Sequence, residues 1–482
     1  MAPPARRLGK NAAAAAASPR RSARLAAQRT LPAAVVPRTT PRRRRPFLPF
    51  RRSHDQACIA REVARHQVLF VHAWPGTGKS SQVPRVLHSA GHGPVICSQT
   101  YRLADESAAA HAGADMRAGE VAVALDGRAP AGDTAAAVTY ATHHALLREL
   151  AADPVLARYG AVVIDEADDG MLLTSAVLGL VRSAAARRPD LRVVICTRGT
   201  LFFGEDAVHA FFPGAEHLWF DTDLGVCPWE YVGDPVTDTD HVAAAVATVR
   251  RIHGAEPPGD VLVFVPSRAD VEAADRLLLA APLTPGIVTR RLHDGVPAHL
   301  VGDVLAPTPD GERKVVLATD IADSAVFVEG IRYIVDSGYR CTDNVPPSLT
   351  GGRSPPPPAR MFRALKTSVR SGYHIKGRDN RGKCFCLYTI EESAEMMQTG
   401  CSPLRTRTDD VDSLASIVLV LKDLGIAGGN GVEGFEFMLP PRPEMLRRAV
   451  AVLVAADAVG SDGEVTNEGR RMVREILGRC YF

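Results

Sequence analysis

No run of eighteen uncharged apolar residues occurs anywhere in the 482 residues, so a membrane-spanning helix is not expected. The nine cysteines are scattered, with no C-x-x-C pair and no regular spacing. That excludes a disulfide framework and points to a reducing compartment. Acidic residues are missing from a whole segment: residues 1–54 hold fourteen Lys and Arg and no Asp or Glu, so a whole-chain charge of +3 leaves −11 for the remainder. This basic stretch also has an alanine run, Ala12 to Ala17, many prolines and the cluster Arg42-Arg-Arg-Arg45, a composition that cannot bury a core. Residues 1–52 therefore read as a disordered basic tail. Its arginine cluster reads as a nuclear import signal; its lack of acids suits a chloroplast or mitochondrial transit peptide as the alternative, and either form can bind RNA phosphates.

What is present after the tail is ordinary globular material, 46% hydrophobic and long enough for about three domains. From Leu48-Pro49 onward short apolar runs alternate with longer helical stretches, the signature of a doubly wound α/β domain that binds ligands at the carboxyl ends of its strands. The first run, Val68-Leu-Phe-Val71, leads into Ala73-Trp-Pro-Gly-Thr-Gly-Lys-Ser80. This approaches G-x-x-x-x-G-K-[ST], in which backbone N–H groups cradle phosphates, the lysine reaches the β/γ oxygens and the hydroxyl ligates Mg²⁺. Gly76, Thr77, Gly78, Lys79, Ser80 and Ser81 are the expected nucleotide-binding residues, with small Ala73 replacing the first glycine.

Further strands are expected at Val95-Ile-Cys97 and Val138-Thr-Tyr-Ala-Thr142. Then Ala161-Val-Val-Ile-Asp165-Glu166-Ala167-Asp168 ends an apolar run on carboxylates. A Mg²⁺-nucleotide enzyme needs one acid near the metal and another to activate water, and Asp165 and Glu166 suit these two roles.

The order of these segments, with Gln99-Thr-Tyr-Arg102, Tyr140-Ala-Thr142, Leu146-Leu-Arg148 and Asp153-Pro-Val-Leu between them, resembles the DEAH-box RNA helicases. The likeness continues through His253-Gly-Ala-Glu-Pro-Pro-Gly-Asp-Val-Leu-Val-Phe264, Arg313-Lys-Val-Val-Leu-Ala-Thr-Asp-Ile-Ala-Asp323 and Tyr333-Ile-Val-Asp-Ser-Gly-Tyr339. It implies two tandem RecA-like P-loop domains, at 53–222 and 223–398, followed by a small, mostly helical winged-helix-like domain at 399–482. It also implies that Arg102, Thr142, Thr319 and Asp320 meet the backbone of a single RNA strand without reading its sequence, and that ATP and Mg²⁺ are bound. Leu414, Ile417, Val418, Leu421 and Leu424 follow helical spacing and are expected to be core of the last domain. Longer members continue into ratchet-like and OB-fold domains that do not fit after Met472, so a strand clamp and an activator-docking surface are not expected.

Departures from the family pattern fall on chemistry. The fourth letter of the DEAH box is Asp168, and the coupling triplet Ser-Ala-Thr is replaced by Cys196-Thr-Arg-Gly-Thr200, where Thr197 substitutes for the serine. The family's arginine-rich run reads Ser371-Gly-Tyr-His-Ile-Lys-Gly-Arg378 here, and a gapless count from Gly382 leaves only Arg378 on a finger position, with Ile375 and Gly372 on the others. The expectation is an ATP-dependent RNA helicase or RNA-stimulated ATPase with weakened catalysis; the alternative is a degenerate relative that only binds RNA or nucleotide.

Overall fold

A computed structural model describes residues 53–73, 77–124, 136–169, 171–197, 205–220, 228–280, 286–293, 296, 298–324, 328, 330–341, 361–363, 382–398, 411–426 and 434–478. Its first α/β unit runs α1 (Ser53–Arg65), β1 (Val68–Ala73), α2 (Lys79–Leu87), β2 (Val95–Gln99), α3 (Arg102–Gly113), β3 (Val121–Val123), β4 (Val138–Thr142), α4 (His143–Ala152), β5 (Ala161–Ile164), α5 (Leu172–Arg187), β6 (Arg192–Thr197), α6 (Glu205–Phe211) and β7 (Glu216–Phe220). The seven strands form one sheet in the order β3-β4-β2-β5-β6-β1-β7, and every neighbouring pair is parallel. Parallel strands need crossover helices that cover both faces, which is why β5 and β6 are apolar at nearly every position rather than alternating.

The two-residue period of a strand divides this sheet's core. Leu69, Val71 and Ala73 point to the layer containing α1, α2 and α3, where they meet Ile59, Val63, Val83 and Ala109. Phe70, Val162 and Ile164 point to the opposite layer, with α4 and α5.

A second sheet of six parallel strands, in the order β10-β11-β9-β12-β15-β8, is built from β8 (Trp229–Tyr231), β9 (Asp260–Phe264), β10 (Ile287–Leu292), β11 (Arg313–Ala318), β12 (Ile331–Asp336) and β15 (Lys383–Cys386). Helices α7 (His241–Ala255), α8 (Arg268–Leu279), α9 (Ala298–Leu305) and the short α10 (Ile321–Ser324) join these strands, and β13 (Tyr339–Cys341) pairs antiparallel with β14 (Met361–Arg363). At the start of β11 two cations complete helix ends: Arg313 donates to the carbonyls of Ile252 in the last turn of α7 and of Glu256 and Pro257 just after it, and Lys314 Nζ donates to those of Val304 in the last turn of α9 and Ala306 just after it. Cations at helix C-termini meet both the orphan carbonyls and the negative dipole end.

Helices Val411–Asp423, Pro443–Ala455 and Asn467–Gly478 follow the second sheet in sequence but share a core cluster with α4 and α5 of the first unit. Leu414, Ile417, Val418 and Leu421 are buried there, and Leu424, just past the helix end, is half-buried against the same cluster. His144 Nε2 donates to Ile476 O at 2.8 Å, Leu439 N donates to Ser175 Oγ at 2.8 Å, and Arg182 pairs with Glu436. Gly179 of α5 permits the approach, since a Cβ there would lie 2.5 Å from Glu436 O and 2.7 Å from the Phe435 ring. The chain thus forms a mixed α/β protein with two parallel sheets and a helical C-terminal unit docked on the first. Among the described residues no helix is long and apolar enough to cross a membrane.

Candidate functional site

The carboxyl edge of the first sheet gathers four strand ends in the spatial order β5, β6, β1 and β7. β6 separates the strand that ends before Asp165 from the strand that ends at the glycine-rich loop. Two strand spacings put those ends roughly 10 Å apart, room for a phosphate chain and a cation between them.

Ala73 still belongs to β1, paired with Phe220, so the position where the phosphate-loop pattern has its first glycine needs no glycine conformation here. Gly78 does: it sits at φ 91, the left-handed region, directly before α2. Among the described residues no side chain caps that helix, so the first N–H groups of α2 remain directed out of its end, an arrangement that binds anions. Lys79 is buried and its Nζ donates to Ala73 O at 2.5 Å. Burial lowers the pKa of its ammonium, against the pull of Asp165 first and then Cys196, Asp168 and Glu166.

Asp165 lies directly after β5, its N–H bonded to Ser98 O at 2.8 Å, and receives the Ser80 hydroxyl, Glu166 N at 2.9 Å and Gln99 Nε2 at 3.3 Å. Burial nevertheless raises its carboxyl above the ordinary range, against the Lys79 charge and the Ser80 and Glu166 hydrogen bonds. Lysine and carboxylate are therefore both held where a charge is costly, and an incoming divalent cation or polyanion would find each of them poorly solvated. Glu166 adopts φ 52, a left-handed conformation that costs a non-glycine residue about 1 kcal/mol or more. The tight turn that requires it is pinned by Ala167 N donating to Cys196 O at 3.0 Å and Asp169 N to Glu166 O at 2.9 Å. The first of these ties the carboxylate turn to β6 through backbone alone, so the tie does not depend on the side chain at Asp168. Asp169 anchors the turn's far side, taking Thr100 Oγ1, Thr174 Oγ1 and Met171 N at 2.7–2.9 Å.

Further polar side chains surround this point: Thr77 and Thr197 are expected from the sequence, whereas Tyr140, Gln82, Gln99, Asp105 and His72 are not. Tyr140 donates its hydroxyl to Ser80 O at 2.8 Å. Among the described residues, Thr77 Oγ1, Gln82 Oε1, Gln99 Oε1 and Asp105 Oδ1 are buried with no hydrogen-bond partner, a concentration that suits a polar ligand or bound water. The Asp105 carboxyl is raised well above its ordinary value by burial, with Glu106 and Asp165 adding to that and Arg102 opposing it. Thr197, at the end of β6, gives Oγ1 to a 2.7 Å hydrogen bond with His72 Nδ1. Burial lowers His72 to a pKa of about 3, with His217 and Lys79 in the same direction, so its ring is neutral.

The other expected residues lie at the same kind of strand end but not in this cluster. Arg102 begins α3 and pairs with Glu106 at 3.1 Å. Thr142 caps α4 by accepting Ala145 N at 3.1 Å. Thr319 and Asp320 follow β11 of the second sheet, where Thr319 N donates to Leu292 O at 3.1 Å. Tyr101, the residue before Arg102, packs against the second unit's core. Ser81 Oγ lies 3.4 Å from Gly78 O inside α2. Gly76 and Arg378 are outside the described residues. No protein-family model matches the chain.

Proposed function

We propose that the protein is an ATP-dependent RNA helicase or RNA-stimulated ATPase of DEAH-box type, with two RecA-like units, a winged-helix-like C-terminal module and weakened catalysis. The observation that carries this reading is the meeting of Ser80 and Asp165, joined by a hydrogen bond although 85 residues apart in the chain, beside buried Lys79. Among the described residues no three His, Cys, Asp or Glu side chains form a self-sufficient metal site. Ser80 and Asp165 supply two oxygens, and a Mg²⁺ ion held through one or two carboxylates takes the rest from water and substrate phosphates. Mg²⁺ would be held by these two residues and would neutralise charge on the β- and γ-phosphates.

In this reading the backbone from Gly76 to Ser81 and the open end of α2 bind the phosphates, and Lys79 exchanges its bond to Ala73 O for phosphate oxygens. Glu166 orients the attacking water and accepts its proton. Arg378 supplies the positive charge facing the departing γ-phosphate, the role in which an arginine is worth about 10³–10⁵ in rate. Arg102, Thr142, Thr319 and Asp320 are proposed to hold an RNA strand by its backbone, which fixes position without reading bases.

Calorimetric titration with Mg·ATP tests the site. Lys79→Ala is expected to weaken binding at least tenfold, about 1.4 kcal/mol, and Glu166→Gln to bind normally while phosphate release stops. Equal affinity of wild type and Lys79→Ala, or binding by neither, would sink the proposal.

The second reading, a binding module without turnover, is favoured by the sequence Ser371–Arg378, which keeps one arginine of three. Ile375→Arg separates the two readings. A tenfold rise in RNA-stimulated phosphate release, about 1.4 kcal/mol of barrier, is expected for a weakened enzyme, and no release from either protein for a binding module.

A further inference from the structure

Trp219, the penultimate residue of β7, takes no part in the cluster around Ser80 and Asp165, yet 52% of it is exposed at the carboxyl edge. Its position is fixed from beneath. The indole lies on the His72 ring, 3.9 Å between centroids and 19° between planes. His72 in turn lies 5.2 Å from His217, which is stacked on Phe70 at 4.7 Å and 2°. His72 is 1% exposed, and its two ring nitrogens are engaged by Thr197 Oγ1 at 2.7 Å and His217 Nδ1 at 2.9 Å. The ring under the indole therefore cannot swing away. Phe70, His217, His72 and Trp219 form a run of aromatic rings that ends in a supported, solvent-facing aromatic surface.

The location of that surface relative to the phosphate loop follows from strand register. Trp219 pairs with His72 and Phe220 pairs with Ala73, so the indole flanks the residues that lead into the loop. Along the edge the order is β5, β6, β1, β7. With the terminal phosphate facing Asp165 and Glu166 beyond β5 and the inner phosphates on the loop after β1, the phosphate chain runs along the edge from β5 towards β1, and its continuation leads the ribose and base away from β5. β7 is the next strand in that direction, roughly 5 Å beyond β1.

We infer that Trp219 is the stacking platform for the base of the bound nucleotide, held in position by His72. This rests on the nucleotide-binding reading above and adds a base subsite to its phosphate subsite. Stacking on an aromatic ring strengthens binding of any base, because every base has a π-face.

Two ligands separate the subsites: Mg·ATP, and Mg·tripolyphosphate, which has no base. Each is titrated calorimetrically into the full chain. Trp219→Ala is expected to lose about tenfold or more in ATP affinity while binding tripolyphosphate as wild type does. Trp219→Tyr, which retains a ring, is expected to recover most of the loss. Lys79→Ala should weaken both ligands, which marks failure at the phosphate subsite. Unchanged ATP affinity in Trp219→Ala overturns the inference, as does an equal loss for both ligands, the mark of a merely structural role. Wild type that binds neither ligand removes the phosphate reading and this subsite with it. Photocrosslinking of wild type with 8-azidoadenosine triphosphate needs no variant: label on the peptide that contains Trp219 supports the platform, and label confined to other peptides overturns it.

Discussion

A single carboxylate in the second unit serves two structures. Asp270, in the first turn of α8, completes a capping box with Ser267: Asp270 N donates to Ser267 Oγ at 3.2 Å and Ser267 N to Asp270 Oδ2 at 3.1 Å. Its other oxygen stands 3.3 Å from His241 Nε2, at ion-pair distance rather than in a regular hydrogen bond, while His241 Nδ1 donates to Asp238 O at 2.7 Å. Burial pulls the His241 pKa down, but Asp270 and Asp238 together outweigh it and the value is raised. Burial likewise pushes the Asp270 pKa up, and His241 and Ser267 outweigh it in the opposite direction. A raised histidine stabilises below its ordinary value of 6.5 and loses that contribution as pH rises through the folded value. A lowered aspartate stabilises above 3.8 and loses its contribution as pH falls through the folded value. The pair is therefore worth most between about pH 4 and 6.5. His241→Gln is expected to cost about 1 kcal/mol in urea denaturation at pH 5.5, the upper range for partly exposed pairs, and clearly less at pH 8.5. An equal cost at both pH values would show that packing, including the ring contact with Tyr339, accounts for the whole effect.

At the scale of elements, the docking of the C-terminal helices on α5 depends on a residue with no side chain. With Glu436 O and the Phe435 ring already within 2.7 Å of where a Cβ would be, Gly179→Val must push the two helical layers apart. The expected result is a loss of about 1–3 kcal/mol together with faster proteolytic release of the segment that follows residue 398, measured against wild type under native conditions. A variant as resistant as wild type would mean that the packing around Ser175, Arg182 and Glu436 is not what holds the unit. None of this docking was legible in the sequence. Leu414, Ile417, Val418 and Leu421 declare a buried helical face, but periodicity cannot say which distant surface covers it. The strands were more legible: Ala161-Val-Val-Ile164 is apolar at every position and ends where Asp165 begins, so strand and candidate site were read together. β1 runs two residues past the apolar run because His72, polar in composition, is held by Thr197 on β6 and by the rings of His217 and Trp219 on β7. The same cause hid Trp219, since β7 is a half-exposed edge strand of mixed composition. Gln99, Asp105 and Tyr140 carry no local signal of a role, because their relevance depends on convergence at Ser80 and Asp165, which no local pattern encodes.

Over the whole molecule, charge is divided so that residues 1–54 carry fourteen basic groups and the remaining chain a net charge of −11. A folded body of that sign repels nucleic acid at long range, and the strand-end residues proposed to meet RNA act only at contact. The long-range, salt-sensitive part of RNA binding should therefore reside in the N-terminal segment. Each phosphate neutralised on a single strand contributes roughly 0.7 to the slope of log K against log salt. Deleting residues 1–52 removes all fourteen basic groups and is expected to flatten that slope by about 0.7 for every phosphate the segment neutralises, while leaving Mg·ATP affinity unchanged. Fluorescence anisotropy with several unrelated single-stranded RNAs, at salt from about 50 to 200 mM, measures both the slope and any sequence preference. An unchanged slope after the deletion would locate the electrostatic contacts on the folded body despite its net charge. A strong preference for one RNA would instead require base-edge contacts, which the proposed backbone-binding residues do not provide.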